Sequence, residues 1–142
     1  MAVTESTARV EVFQNIFSLI NSNKLSNTTV LATFPEKSPT FPCYVINSAE
    51  VANLSQALDT DSRELNFTLL IDYFGDSRDG MQKIDQMKDN TIGTLRNSTN
   101  VATLKAANIS ITSITDNGNS QDEFRDMKLN SGSILVSGVL LA

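Results

Sequence analysis

A chain of 142 residues with 40% apolar side chains is long enough for one domain with a substantial core. The formal charge of −5, a charged fraction of only 19% and the scatter of Lys and Arg as single residues exclude a basic patch for reading nucleic acid. The sequence has no histidine and a single cysteine, Cys43, which removes the usual general base, zinc sites and any internal disulfide, and makes a reducing compartment the expectation.

Asn, Ser and Thr make up almost a third of the residues, so the surface is polar but weakly charged. That suits extensive subunit contact, and compositional drift would produce it equally. The opening Met1–Thr7 is polar and carries Glu5, unlike a secretory leader, and no apolar run reaches the roughly 18 residues of a membrane span. The Asn-x-Ser/Thr triplets at Asn27, Asn53, Asn66, Asn97 and Asn108 are expected by chance in such a composition, and glycosylation is not expected.

Residues 6–22 read as an amphipathic helix with Ser6 or Thr7 as cap and a stripe of Val10, Phe13, Phe17 and Ile20, widened by Val12, Ile16 and Leu19. A β-branched strand follows over 28–34. All three prolines, Pro35, Pro39 and Pro42, then frame a stiff loop that turns the chain into a second strand, 43–47, as a hairpin. Phe41 in that loop is either a lid on the core or an exposed contact, and Cys43 is a small buried hydrophobe. Residues 48–62 have weak periodicity and read as a short helix or an irregular excursion, with Asp59 and Asp61 in a solvated turn that lacks the ligand spacing of a calcium loop.

The clearest signal is 63–74. Leu65, Phe67, Leu69, Ile71 and Tyr73 alternate with Asn66, Thr68, Leu70 and Asp72, which gives a strand with one core face and one mostly polar face. Asp72 then reads as a satisfied or solvated carboxylate. After Gly75, a helix is expected over 78–97 with Met81, Ile84, Met87 or Lys88, Ile92 and Leu95 inward and a stop at 97–100. Ile109 and Ile111 alternate but Ile114 falls out of phase, which predicts a bulge near Thr112–Ser113. Residues 115–126 read as a polar connection with an Asn117-Gly118 turn. The last strand, 133–141, is apolar on both faces and belongs in the sheet centre or under a neighbouring subunit.

The expected fold is therefore α+β: one domain, 1–142, with a mostly antiparallel sheet and two main helices packed on one face. No phosphate-binding glycine loop, CxxC or HExxH occurs, so neither an enzyme nor a cofactor or metal site is expected.

The element order, the opening helix Val10–Ile20, the Phe41-Pro42-Cys43-Tyr44-Val45-Ile46 strand, the Arg63–Gly75 strand and the helix from Arg78 together resemble the tail terminator (tail completion) proteins of tailed phages and related viruses. The resemblance implies a non-catalytic virion protein at the tail–head junction, made in the host cytoplasm. It implies self-association into a ring, usually a hexamer, that caps the tail tube protein and joins it to a neck or head-completion protein. DNA would pass through without specific binding. The subunit and tube interface is expected at Pro39, Phe41, Asn66, Thr68, Leu70 and Asp72. The acids Asp59, Asp61, Asp116, Asp122 and Glu123 are expected at the lumen or on the outer rim, where they would repel or merely solvate. A neck or head-closure connector, and a small cellular ligand-binding or regulatory module, are the alternatives.

Overall fold

The computed structural model describes residues 8–32, 42–56, 63–76, 80–124 and 127–141. Three helices, α1 (Ala8–Asn23), α2 (Met81–Arg96) and α3 (Ser98–Ala106), accompany six strands: β1 (Thr29–Leu31), β2 (Cys43–Ile46), β3 (Glu50–Gln56), β4 (Arg63–Asp76), β5 (Ile109–Phe124) and β6 (Met127–Leu141). The strands form one sheet in the order β1-β2-β4-β6-β5, with β3 also on β4. The fold is α+β as expected, with a third helix beyond the expected two. No helix among the described residues is long and apolar enough to cross a membrane.

β4 organises the sheet. Its odd-numbered residues Leu65 to Tyr73 are all buried and join α1, α2 and α3 side chains in one core cluster. The strand does not stop at Gly75 but runs on to Asp76, opposite Leu129 of β6. β6 sits between β4 and β5, which explains its apolar character, and it begins six residues earlier than its apolar run.

Four expectations are corrected. β1 and β2 pair in parallel, with Thr29 opposite Cys43, so they are not a hairpin. Local proline chemistry marks a break in the chain but not the direction in which it returns. Residues 50–56 are strand β3, antiparallel to β4. β2 and β3 lie end to end along one edge of β4, opposite residues 71–74 and 63–68 respectively, and the Asn47 N–H donates to the Leu70 carbonyl (3.0 Å) at the break. The weak alternation of 50–56 hid this strand. Third, 115–124 is not a loop. β5 pairs with β6 as far as Phe124 opposite Met127, and Asn117-Gly118 forms a second bulge, with Gly118 at φ 89°. The first bulge lies where the phase slip puts it, between Ile111 and Ser113.

The fourth correction concerns Asn97. It ends α2 with its N–H on the Thr94 carbonyl (3.4 Å), and its side chain at once caps α3, accepting from the Thr99 N–H (3.0 Å) and the Asn100 N–H (3.4 Å). A stop signal is thus also a start signal. Asn108, at φ 63°, ends α3 in the left-handed conformation that Asn tolerates. In α1 the buried row is Ala8, Val12, Ile16 and Ile20; Phe13 and Phe17 are half-buried with ring centres 5.5 Å apart, and Val10 is 57% exposed. Its true stripe is thus rotated from the expected one.

Two buried tyrosines lie edge to face in the core (5.5 Å, 64°) but differ at their hydroxyls. Tyr44 accepts from the Leu25 N–H (3.4 Å) and donates to Asn90 Oδ1 (2.9 Å), and Asn90 in turn donates to the Asn23 carbonyl (2.8 Å). Among the described residues the buried Tyr73 hydroxyl makes no hydrogen bond of good geometry; its polar neighbour Thr91 donates instead to the Met87 carbonyl (3.1 Å). Tyr44→Phe should therefore cost about 1–2 kcal/mol, because it strands groups on two other elements, whereas Tyr73→Phe should be neutral or mildly stabilising. Urea unfolding of the two variants checks the difference in sign.

Candidate functional site

With the helices packed on one side, the other face of β4 and β6 is covered by no described helix. The register builds it rung by rung. Asn66 lies opposite Val139, Thr68 opposite Ser137, Leu70 opposite Leu135, and Asp72 opposite Ser133. Asn66 is exposed and the other seven are half-buried. Beyond them β5 adds the exposed Ser110, Ser113 and Thr115. The surface is an aliphatic pair, Leu70 and Leu135, set among hydroxyls and amides. It offers contact area and hydrogen-bonding groups but little charge.

Asp72 is the one acid among these paired residues of β4 and β6, and the exposed Glu50 of β3, opposite Thr68, adds a second at the edge of the face. The Asp72 Oδ2 accepts from Asn47 Nδ2 (3.0 Å), which also donates to the Leu70 carbonyl (3.0 Å). A carboxylate held this way is a structural acceptor, as its place on the polar face suggested. Cys43 is buried at the β2 end, and burial pushes its thiol up to about 12, so it stays protonated and unreactive at neutral pH. Among the described residues no group of three metal-ligating side chains converges.

The other expected site residues scatter. Pro39, Phe41, Asp59 and Asp61 lie outside the described residues. Asp122 and Glu123 belong to the far end of β5, opposite Leu129 and Lys128, rather than to a loop. Asp116 is not a free acid. Its Oδ1 pairs with Lys88 Nζ (2.6 Å) and accepts the Gly118 N–H (2.8 Å), and these two contacts, Lys88 first, hold its carboxyl below the usual range.

Two features escaped the sequence reading. The first is the Lys88 cluster, in which a lysine on the inner face of α2 meets the second β5 bulge. The second is an open cavity of about 450 Å³ where the ends of α2, α3 and β5 meet. The helical stripe allowed Lys88 an inward place, but the partners of neither feature had a local signal, because each joins residues from distant elements.

No protein-family model and no curated protein matches the chain. Among solved structures, a chain described as "Virion of native gene transfer agent (GTA) particle" is similar with a TM-score of 0.42 and 9% identity, over 92% of each chain.

Proposed function

We propose that the chain is a non-catalytic structural subunit of a virion, a ring-forming protein of the tail terminator kind that caps the tail tube and joins it to the neck, with DNA passing through its centre. The observation that carries this reading is the open sheet face, where Leu70 and Leu135 stand exposed in part among Thr68, Ser137, Asp72 and Ser133. An aliphatic centre with a polar rim is the composition of a protein contact, and it is a poor one for catalysis or for a polyanion. The element order supports the family. The net charge of −5 supports a channel that repels DNA rather than binding it, since each copy added to a ring multiplies that charge. Six copies, a tube partner below and a neck partner above follow from the resemblance.

Leu70→Asp tests the reading. Leu70 is half-buried on an outer face, so the isolated subunit should keep its fold, while a carboxylate at the centre of the contact should abolish ring assembly in particles. Counting copies per assembled particle decides. Single isolated copies in wild-type particles would sink the proposal, as would normal assembly of the Leu70→Asp chain.

A further inference from the structure

The stretch from Asn90 to Thr115 contains Arg96 and Lys105 and no acid, while the rest of the chain sets sixteen acids against nine bases. The fold gathers this cationic stretch, which carries two bases, around the cavity at the end of the sheet. Leu104 and Ile109 are buried at its base, Val101 and Ile111 line it half-buried, and Arg96 and Lys105 are exposed at its rim. Among the described residues β5 is an edge strand, with β6 as its one neighbour, so part of its backbone faces outward. The bulge at Thr112, whose hydroxyl donates to the Ser137 carbonyl (3.3 Å), interrupts the ladder and disfavours the addition of a long foreign strand. What remains is a seat for side chains: an apolar groove beside two cations.

We infer that a second copy of this chain occupies this groove, presenting an aliphatic side chain to Val101 and Ile111 and carboxylates to Arg96 and Lys105. The inference rests on the self-association proposed above and names its surface. Charge selects the occupant. The rest of the molecule taken together is net acidic, so a neighbouring copy is complementary in charge to this stretch. Two cations over an apolar base are too few for nucleic acid, whose binding grows with the number of phosphates neutralised.

The experiment is sedimentation of the full chain over a concentration series at low and high salt, for wild type, Arg96→Glu/Lys105→Glu and Val101→Gln, with thermal melting to confirm that each variant is folded. Wild type should self-associate, and salt should weaken it. The double charge reversal should raise the dissociation constant about tenfold or more, and Val101→Gln should raise it at low and high salt alike. Lys24→Glu, on an exposed residue outside the groove, should change neither. A wild type that remains monomeric throughout, variants that associate as wild type does, or a native mass showing a monomer carrying a small molecule would each overturn the inference. If groove variants associate normally while Leu70→Asp still abolishes rings in particles, this inference falls and the ring stands. Single copies in particles, together with groove-dependent association in solution, would be the reverse.

Discussion

Gly138→Val should lower the stability of the fold by about 3 kcal/mol or more, a fall in Tm on the order of 10 °C. Gly138 lies on the inner face of β6 opposite Phe67 of β4 and Ile111 of β5. A Cβ there would sit 2.6 Å from the Phe67 ring and closer still to the Ser110 carbonyl oxygen, which is backbone and cannot turn aside. The missing side chain is therefore the space into which Phe67 packs. Phe67→Ala removes the ring from the other side and should cost about 3–5 kcal/mol, since Phe67 is fully buried. Phe67→Leu would relieve only the ring part of the clash, so it should rescue Gly138→Val only partly. Gly93 supplies the opposite sign. It is exposed within α2, with open space where a Cβ would go, and Gly93→Ala should stabilise by about 0.5–1 kcal/mol through the entropy of the unfolded chain. A Gly138→Val chain that melts with wild type would show that β6 can shift from β4 and β5 at this point without cost.

These residues also show what a sequence can and cannot disclose. Strand β4 was legible because alternation is a local code and a single core lies under one face of the sheet. The bulge at Thr112 was legible because one isoleucine fell out of phase, and the central place of β6 because both of its faces are apolar. Helix α3 was not, because Leu104 is its only fully buried residue and no stripe is visible. Asn117-Gly118 carries the same left-handed preference in a bulge as in a hairpin turn, so the residues fixed the conformation while the long pairing with β6 fixed its role. The parallel β1–β2 pair and the Leu70–Leu135 rung are matters of register between distant segments, which no window of sequence contains. Polar residues on the outer face of β4 were identified as a surface, but their aliphatic centre emerged only once β6 was placed beside them.

Lys88 and Asp116 form the most consequential of these non-local contacts, and deleting them one at a time should give unequal losses. Lys88 is buried on α2, with its side chain 4% exposed against 62% for Asp116. Its ammonium donates to Asp116 Oδ1 (2.6 Å), the Gly118 carbonyl (3.1 Å) and Asn119 Oδ1 (2.5 Å), so its three protons meet three oxygens of the second β5 bulge. Asn119 passes the contact on, donating to Asp85 Oδ1 (2.8 Å). Gly132 makes room, since a Cβ there would lie 2.9 Å from both Lys88 and Ile84 and closer to Asn119. Lys88→Met keeps the stem and removes the charge. The oxygens it leaves are at the surface and can rehydrate, so the cost should be about 1–2 kcal/mol. Asp116→Ala leaves a buried ammonium with only neutral acceptors. Its cost should be larger, about 2–4 kcal/mol, below the full loss for a buried pair because two acceptors remain and water screens an exposed carboxylate. The double variant should lose less than the sum of the two. The pH dependence has a definite sign. The folded-state pKa of Asp116 is depressed, so its contribution is fully present above the ordinary carboxylate value of about 4 and is lost as pH falls through the lower folded-state value. Asp116→Asn should therefore be less stable than wild type at neutral pH and approach it in acid. Chemical denaturation of wild type and the four variants at neutral and acid pH measures all of this. A Lys88→Met protein less stable than Asp116→Ala would mean that the ammonium's contacts with Gly118 and Asn119 outweigh its pair with Asp116, and a gap between wild type and Asp116→Asn that does not narrow with acid would mean that the Asp116 charge does not pin the β5 bulge to α2.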